Sequence, residues 1–123
     1  MIEHTGVQVK DVDSAKEFYQ KVLGTLGYKM NMDMGDAAGF MEGGHTSFWI
    51  GKDASPKGIH VAFRAESKEA VDTFYSVAIS AGGTDNGAPG YRTDYSPGYY
   101  AAFILDADKN NIEAVWFDPS KEK

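Results

Sequence analysis

The sequence predicts an α+β fold of two βαβββ modules with curved mixed sheets and helices on the outer faces. The prediction rests on an internal repeat in which a strand, a capping residue, a helix and a glycine stop follow one another twice. A histidine stands in the opening strand of each half, at His4 and at His60. Two copies indicate a duplicated supersecondary unit, because a solenoid needs more repeats. Each half alone would leave a sheet face uncovered, so the halves must complete each other.

The first half contains one strand, one helix and a run of short strands. Residues 2–9 alternate apolar and polar side chains, which is typical of a strand with one buried face. Residues 11–14 offer capping side chains, and the apolar positions of 15–23 recur at helical spacing. Glycines interrupt residues 28–50, so we expect short strands there, of which 46–50 is the clearest.

The second half repeats this pattern after a polar linker at 52–58. Its helix begins after Ser67 and ends at Gly82 and Gly83. Residues 86–98 are rich in glycine and tyrosine and are predicted to form a loop. We therefore expect one domain over residues 1–123, with modules at 1–51 and 59–118, and further strands at 59–65, 99–105 and 111–117.

Composition excludes several classes of function. The chain of 123 residues has no cysteine and a formal net charge of -6. Its basic residues are scattered, which argues against a nucleic-acid partner because phosphate binding needs a clustered basic surface. The apolar runs are too short to cross a bilayer and the first residues carry no signal region, so we expect no membrane partner and a cytoplasmic location. Without cysteine, thiolate ligands and cysteine nucleophiles are excluded.

Strand alternation places metal-binding residue types at matched positions. His4 and His60 lie on the strand face opposite the aliphatic one, and Glu113 shares a face with Val115 and Phe117. A carboxylate among apolar residues is costly to bury unless a metal or a histidine pairs with it. Two histidines and a carboxylate suit Zn, Ni, Fe or Mn and leave positions open for substrate. The alternative is a frayed His4 and a hydrogen-bonded core His60.

Other residues are candidates for substrate binding. Arg64 shares a face with His60 and is predicted to bind an anionic substrate group, with a strand-end salt bridge as the alternative. Trp49 is predicted to form an aromatic wall of a pocket or to pack in the core. The segment 91–100 carries four tyrosines, including Tyr100 as a substrate-binding candidate. Such a loop covers a pocket or forms a dimer contact.

One set of motifs comprises His4, the helix start at 13–19, Val22-Leu23-Gly24, His60 and the segment 106–113. Together these motifs resemble the vicinal oxygen chelate superfamily, which groups glyoxalases, bleomycin-resistance proteins and extradiol dioxygenases. The resemblance covers essentially the whole chain, and the helix and the final turn are together quite specific. The segments 97–103 and 110–115 also resemble a small bacterial glyoxalase-like subgroup.

The resemblance implies a divalent metal held by His4, His60 and Glu113, with Glu113 also catalytic, and a small-molecule substrate chelated through vicinal oxygens. The fourth ligand of the family falls at Trp49, which cannot bind a metal, so the four-ligand glyoxalase I lyase pattern is incomplete. Two histidines and one glutamate resemble the dioxygenases instead. The resemblance thus implies a metal-dependent lyase or dioxygenase. A metal-free, drug-sequestering binder of the bleomycin-resistance type is the alternative.

A homodimer is the expected assembly. Open sheets have edges that invite pairing with another chain, and twofold dimers are the commonest closed assembly. The resemblance agrees, with the metal site made within one chain or across two. A monomer is the alternative, because a chain of this length can bury enough surface alone.

Overall fold

The computed structural model describes residues 1–121 and contains two four-stranded sheets and two helices. The sheets have the strand orders β1-β4-β3-β2 and β5-β8-β7-β6, and in each the opening strand pairs in parallel with the last strand of its half. This confirms the predicted α+β fold of two βαβββ modules. The elements are β1 (Thr5–Val9), α1 (Val12–Gly24), β2 (Lys29–Asp33), β3 (Ala37–Glu42), β4 (His45–Lys52), β5 (His60–Arg64), α2 (Lys68–Ser80), β6 (Thr84–Tyr91), β7 (Tyr99–Leu105) and β8 (Asn111–Phe117).

Each helix begins at a capping side chain and buries one apolar stripe. Asp11 accepts a hydrogen bond from the Ser14 N–H at 3.1 Å, and Ser67 accepts one from the Ala70 N–H at 3.0 Å. Within residues 1–121, neither helix is long and apolar enough to cross a membrane. The buried residues recur at helical spacing: Val12, Ala15, Tyr19, Val22 and Leu23 in α1, and Val71, Phe74 and Ala78 in α2.

Two segments differ from the sequence prediction. The first strand begins at Thr5, so His4 precedes it and is exposed. The predicted loop contains most of β6, which pairs antiparallel with β7. The register of that pair shifts at Gly87 and Gly90. Such irregular pairing removes the regular alternation by which a strand is recognised in a sequence.

The two modules pack together through their helix-covered faces. Helix α1 contacts α2, and the Phe48 ring of β4 lies 5.1 Å from the Phe63 ring of β5. The Tyr28 ring packs edge-on against Phe63 at 5.4 Å. All of these residues belong to one hydrophobic cluster or pack against it. The opposite face of each sheet is not covered by a helix, and we call it the open face of that module.

A turn between β7 and β8 fixes the second module to the first. The buried Asp106 carboxylate accepts hydrogen bonds from the Tyr19 hydroxyl at 2.5 Å and from the Asn110 N–H at 2.9 Å. The Asn110 side chain donates to the Gln8 carbonyl of β1 and accepts from the Ile59 N–H, both at 3.0 Å. We call Tyr19, Asp106 and Asn110 the inter-module network, because it joins α1 and β1 to the turn before β8.

We expect the Tyr19→Phe variant to lose roughly 1.5–3 kcal/mol of unfolding free energy, the range for a hydrogen bond to a charged group. The variant leaves the buried Asp106 carboxylate with one donor fewer. Urea unfolding followed by circular dichroism measures the loss. Tyr28→Phe is the control, because the Tyr28 hydroxyl has no hydrogen-bond partner in residues 1–121. Equal losses in both variants would contradict the role of the network.

The stability difference between wild type and Tyr19→Phe should also depend on pH. Burial first, and the Asp106 charge second, raise the pKa of Tyr19 well above its usual value. A raised pKa in the folded state stabilises the protein below the unfolded value of about 10, and this contribution is lost as pH rises through the folded value. The stability difference between wild type and Tyr19→Phe should therefore shrink above about pH 10.

Candidate functional site

The open face of the second module brings together three polar side chains. His60 Nε2 lies 2.8 Å from Glu113 Oε1, and the Tyr99 hydroxyl donates to Glu113 Oε2. The Glu113 side chain is only 2% exposed, whereas the His60 side chain is 51% exposed. A buried carboxylate is costly unless its oxygens have donors. His60 and Tyr99 supply these donors, and we call the three residues the His60–Glu113–Tyr99 cluster.

The strand register explains why His60 and Glu113 are in contact. Glu113 of β8 lies opposite Ala62 in β5 and opposite Phe103 in β7. Residues two apart on a strand share a face, so His60 stands beside this row on β5. The small side chain of Ala62 leaves space between His60 and Glu113. The register thus brings His60, which was predicted to face away from the aliphatic side of its strand, next to Glu113.

Tyr99 was not among the residues predicted from the sequence, which named its neighbour Tyr100. The Tyr100 ring is buried on the helix side, and its hydroxyl donates to Asp72 of α2 at 2.6 Å. Its position thus gives no support to the substrate-binding prediction. Alternation in β7 separates the two tyrosines, because the buried positions Ala102 and Ile104 follow Tyr100 at intervals of two.

The two tyrosines are also held in the protonated form. Burial first, and the hydrogen bond to Glu113 second, raise the pKa of Tyr99 above its ordinary value. Burial and the Asp72 contact raise the pKa of Tyr100 to about 12. At neutral pH Tyr99 is therefore a hydrogen-bond donor to Glu113, and it does not act as a phenolate base.

Aromatic rings and two arginines surround the cluster. The Arg64 guanidinium lies 4.8 Å from the centre of the Phe117 ring, and the Arg92 guanidinium lies 5.3 Å from that of Phe103. The His60 ring is 6.2 Å from the Phe103 ring. Salt bridges within residues 1–121 involve neither arginine. In this part of the chain, Arg64 therefore lacks the strand-end ion pair that was its alternative interpretation.

His4 lies apart from the cluster. Its Nδ1 pairs with the Glu3 carboxylate, and His45 Nε2 lies 3.1 Å from the other oxygen of that carboxylate. All three side chains are more than half exposed. Within residues 1–121 of one chain, no group of three histidine, aspartate or glutamate side chains is close enough to hold a metal ion. The fold thus brings His60 and Glu113 together and leaves His4 elsewhere.

Trp49 lies on the open face of the first module. Its strand partners on the two sides are Gly6 and Gly39. A Cβ atom at Gly39 would lie 3.0 Å from Cη2 of the indole, so the missing side chain makes room for the ring. The indole is partly exposed. Trp49 therefore forms a flat aromatic surface outside the core, and its side chain cannot bind a metal.

Two residues of the cluster have the chemistry of metal ligands. His60 and Glu113 are an imidazole and a carboxylate of the types that hold Zn, Ni, Fe or Mn. Asn111 lies opposite His60 in the register, and its side-chain oxygen is buried without a hydrogen-bond partner in residues 1–121. Such an unpaired oxygen is normally satisfied by a ligand, an ion or water. Within residues 1–121, no further histidine or acidic side chain completes such a ligand set.

Comparisons with known proteins place the fold. The family model described as Glyoxalase/Bleomycin resistance protein/Dioxygenase superfamily matches residues 1–114. A glyoxalase/bleomycin resistance protein from Albidiferax ferrireducens is 29% identical, with a TM-score of 0.82 over 94% of this chain and 98% of that chain. No match was found among proteins of curated function.

Two more distant structures show the same fold. A glyoxalase/bleomycin resistance protein/dioxygenase family enzyme from Burkholderia phytofirmans has 21% identity and a TM-score of 0.75, over 95% of this chain and 98% of that chain. A fosfomycin resistance protein from Listeria monocytogenes has 17% identity and a TM-score of 0.74, over 100% and 98%. Since the family model covers nearly the whole sequence, the chain belongs to the glyoxalase/bleomycin resistance protein/dioxygenase superfamily.

Proposed function

We propose that the protein is a small divalent-metal-dependent enzyme acting on a small molecule through vicinal oxygens, as a lyase or a dioxygenase. The observation that carries this proposal is the buried Glu113 carboxylate, which His60 and Tyr99 hold on an open face. Membership of the superfamily supports the same class of chemistry. The metal would be Zn, Ni, Fe or Mn, held by His60, Glu113 and His4.

We further propose that two copies of the chain share each site. His60 and Glu113 occupy one open face, and His4 lies exposed at the edge of the other module. The modules of one chain already contact through their helix-covered faces, which keeps the three ligands apart. A twofold contact between open faces would bring His4 of a second copy to His60 and Glu113, twice per homodimer.

The chain's own residues then have distinct tasks. When bound, the metal would act as a Lewis acid that polarises the vicinal oxygens of the substrate. Glu113 would accept or return a substrate proton through Oε1, and the Tyr99 hydroxyl would keep the carboxylate oriented through Oε2. Trp49 in place of a fourth ligand favours the dioxygenase-like pattern. Two arginines on this open face, Arg64 and Arg92, are the candidates for binding an anionic part of the substrate.

Protein purified without chelators should carry about one metal ion per chain. His60→Ala and Glu113→Gln should lose it, because each removes a ligand, and mass spectrometry of the metal measures the content. The control is His45→Ala, which removes the histidine that lies outside the proposed ligand set. A metal-free wild type, or unchanged content in His60→Ala, would refute the metal site.

Mixed dimers test whether the site is shared. We expect His4→Ala and His60→Ala chains each to lose the metal when alone. A mixed dimer of the two has one site with both mutations and one with none, so it should recover about one metal per dimer. Two different histidine-free tags allow its purification. Light scattering must first give a mass near twice 13.4 kDa; a monomer, or no recovery on mixing, speaks against a shared site.

The Tyr99→Phe variant should lower metal affinity by roughly 10–100-fold, as expected when a hydrogen bond to a ligating carboxylate is lost. Competition with a metal indicator measures the affinity. Tyr95→Phe is the control, because Tyr95 is 65% exposed and contacts Tyr99 through its ring alone. Equal affinity in wild type and Tyr99→Phe would show that Tyr99 does not position Glu113.

The second candidate function is metal-free binding of a flat aromatic compound. The position of Trp49 over Gly39 on the open face favours it. Flat aromatic compounds should then quench tryptophan fluorescence in the presence of EDTA. Quenching should be lost in Trp49→Phe and kept in Trp116→Phe. Trp116 is a suitable control because it lies on the helix-covered face of the second sheet, away from either open face. A response that EDTA abolishes, or that survives in Trp49→Phe, contradicts this candidate.

A further inference from the structure

Arg92 is fixed on the open face of the second module. Its Nη2 donates a hydrogen bond to the Ala88 carbonyl at 2.7 Å, and its guanidinium lies against the Phe103 ring. The residue is partly buried. A planar cation that is stacked on an aromatic ring and bonded to backbone loses little further freedom when it binds a ligand. Arg92 is therefore pre-ordered for a contact that residues 1–121 do not supply.

Two glycines of β6 create the space for this guanidinium. A Cβ atom at Gly90 would lie 3.0 Å from Arg92 Nη1. A Cβ atom at Gly87 would lie 3.2 Å from Arg92 Nη2 and 2.9 Å from Phe103 Cδ1. Gly87 also has a φ of 148°, which side-chain-bearing residues rarely adopt. The irregular strand thus leaves a recess in which the arginine lies along the sheet.

The recess adjoins the His60–Glu113–Tyr99 cluster. The Phe103 ring contacts Arg92 at 5.3 Å and His60 at 6.2 Å, so it forms a shared floor between them. Arg92 pairs with no carboxylate within residues 1–121, although the chain has a net charge of -6. A guanidinium presents several donors in one plane and binds oxyanions through two of them at once.

We propose that Arg92 binds an oxyanion of the substrate, a carboxylate or a phosphonate, while the rest of the molecule extends over Phe103 toward His60 and Glu113. The substrate class is thus a small organic anion with a second oxygen function. The inference rests on the proposed function for the role of the cluster. The anion contact itself requires only Arg92, Phe103 and the two glycines, and no metal.

Arg92 is better placed for this contact than Arg64, the arginine predicted from the sequence. Arg64 lies over Phe117 and is exposed, and no hydrogen bond fixes its guanidinium within residues 1–121. It also faces a cavity of about 450 Å³ that Glu42 and Glu66 line, so acidic groups are near it. An incoming anion would meet these carboxylates at Arg64, where no hydrogen bond from residues 1–121 orients the guanidinium.

Nuclear magnetic resonance of EDTA-treated, ¹⁵N-labelled protein tests the proposal. The probes are benzoate and phenylphosphonate, with neutral benzamide as the isosteric control. Arg64 and Arg92 are the arginines of the chain, so their Nε–H signals can be told apart with one variant. We expect either anion to shift the Arg92 Nε–H and the Gly87 and Gly90 amide signals saturably, and benzamide to leave them in place. The stronger anion identifies the oxyanion class.

Variants locate the contact. Arg92→Met should weaken benzoate or phenylphosphonate binding roughly tenfold or more, as loss of a charge-assisted bond predicts. Gly90→Ala should weaken it as well while keeping the charge, because its Cβ displaces the guanidinium. Lys68→Met removes a cation that lies over Tyr100, outside the recess, and should bind the anions like wild type.

Three outcomes would overturn the proposal: equal shifts with benzamide, a response at Arg64 without one at Arg92, or unchanged affinity in both Arg92→Met and Gly90→Ala. Because the titration uses metal-free protein, it is independent of the metal measurements. Anion binding without metal content would refute the proposed enzyme and keep the anion site. Metal content without anion binding would refute the anion site alone.

Discussion

The buried carboxylate of Asp106 is the interaction on which the placement of both modules depends. It joins the Tyr19 hydroxyl of α1 to Asn110, which in turn bonds the Gln8 carbonyl of β1. A buried charge is tolerated only when its oxygens are fully paired. Separating the modules would remove the Tyr19 donor from the Asp106 carboxylate, so the network favours the docked arrangement. Strand β8 begins directly after Asn110, and the same turn therefore sets the position of Glu113 three residues further on.

Local periodicity accounts for most of what the sequence could predict. Alternation predicts that His60 faces away from the aliphatic side of β5 and that Glu113 shares a face with Val115 and Phe117, because successive side chains of a strand point to opposite faces. Alternation along β7 separates Tyr99 from Tyr100, but the four tyrosines of 91–100 do not by themselves show which ring faces Glu113. The packing of the modules could not be predicted, since it depends on contacts between distant residues such as Phe48 and Phe63.

The duplicated halves have acquired different chemical surroundings for their matched histidines. His4 pairs with its neighbour Glu3 near the start of the chain, where both side chains are exposed. His60 pairs instead with the buried Glu113, which lies 53 residues further along the chain. The two open faces also differ. That of the first module carries the Trp49 indole, and that of the second carries Arg64 and Arg92, each over an aromatic ring. The open face of the first module is therefore better suited to contact the open face of the second module than to contact another copy of itself.

The irregular edge strand β6 has a consequence for how chains can associate. Pro89 has no N–H to donate, and the register shifts at Gly87 and Gly90 break the row of backbone groups that an added strand would need. Strand β2, at an edge of the other sheet, carries a similar irregularity between Met30 and Met32. Sheet extension from chain to chain into fibres is thereby disfavoured at these edges. A twofold contact between the open faces of two chains instead forms a closed dimer, which cannot grow further.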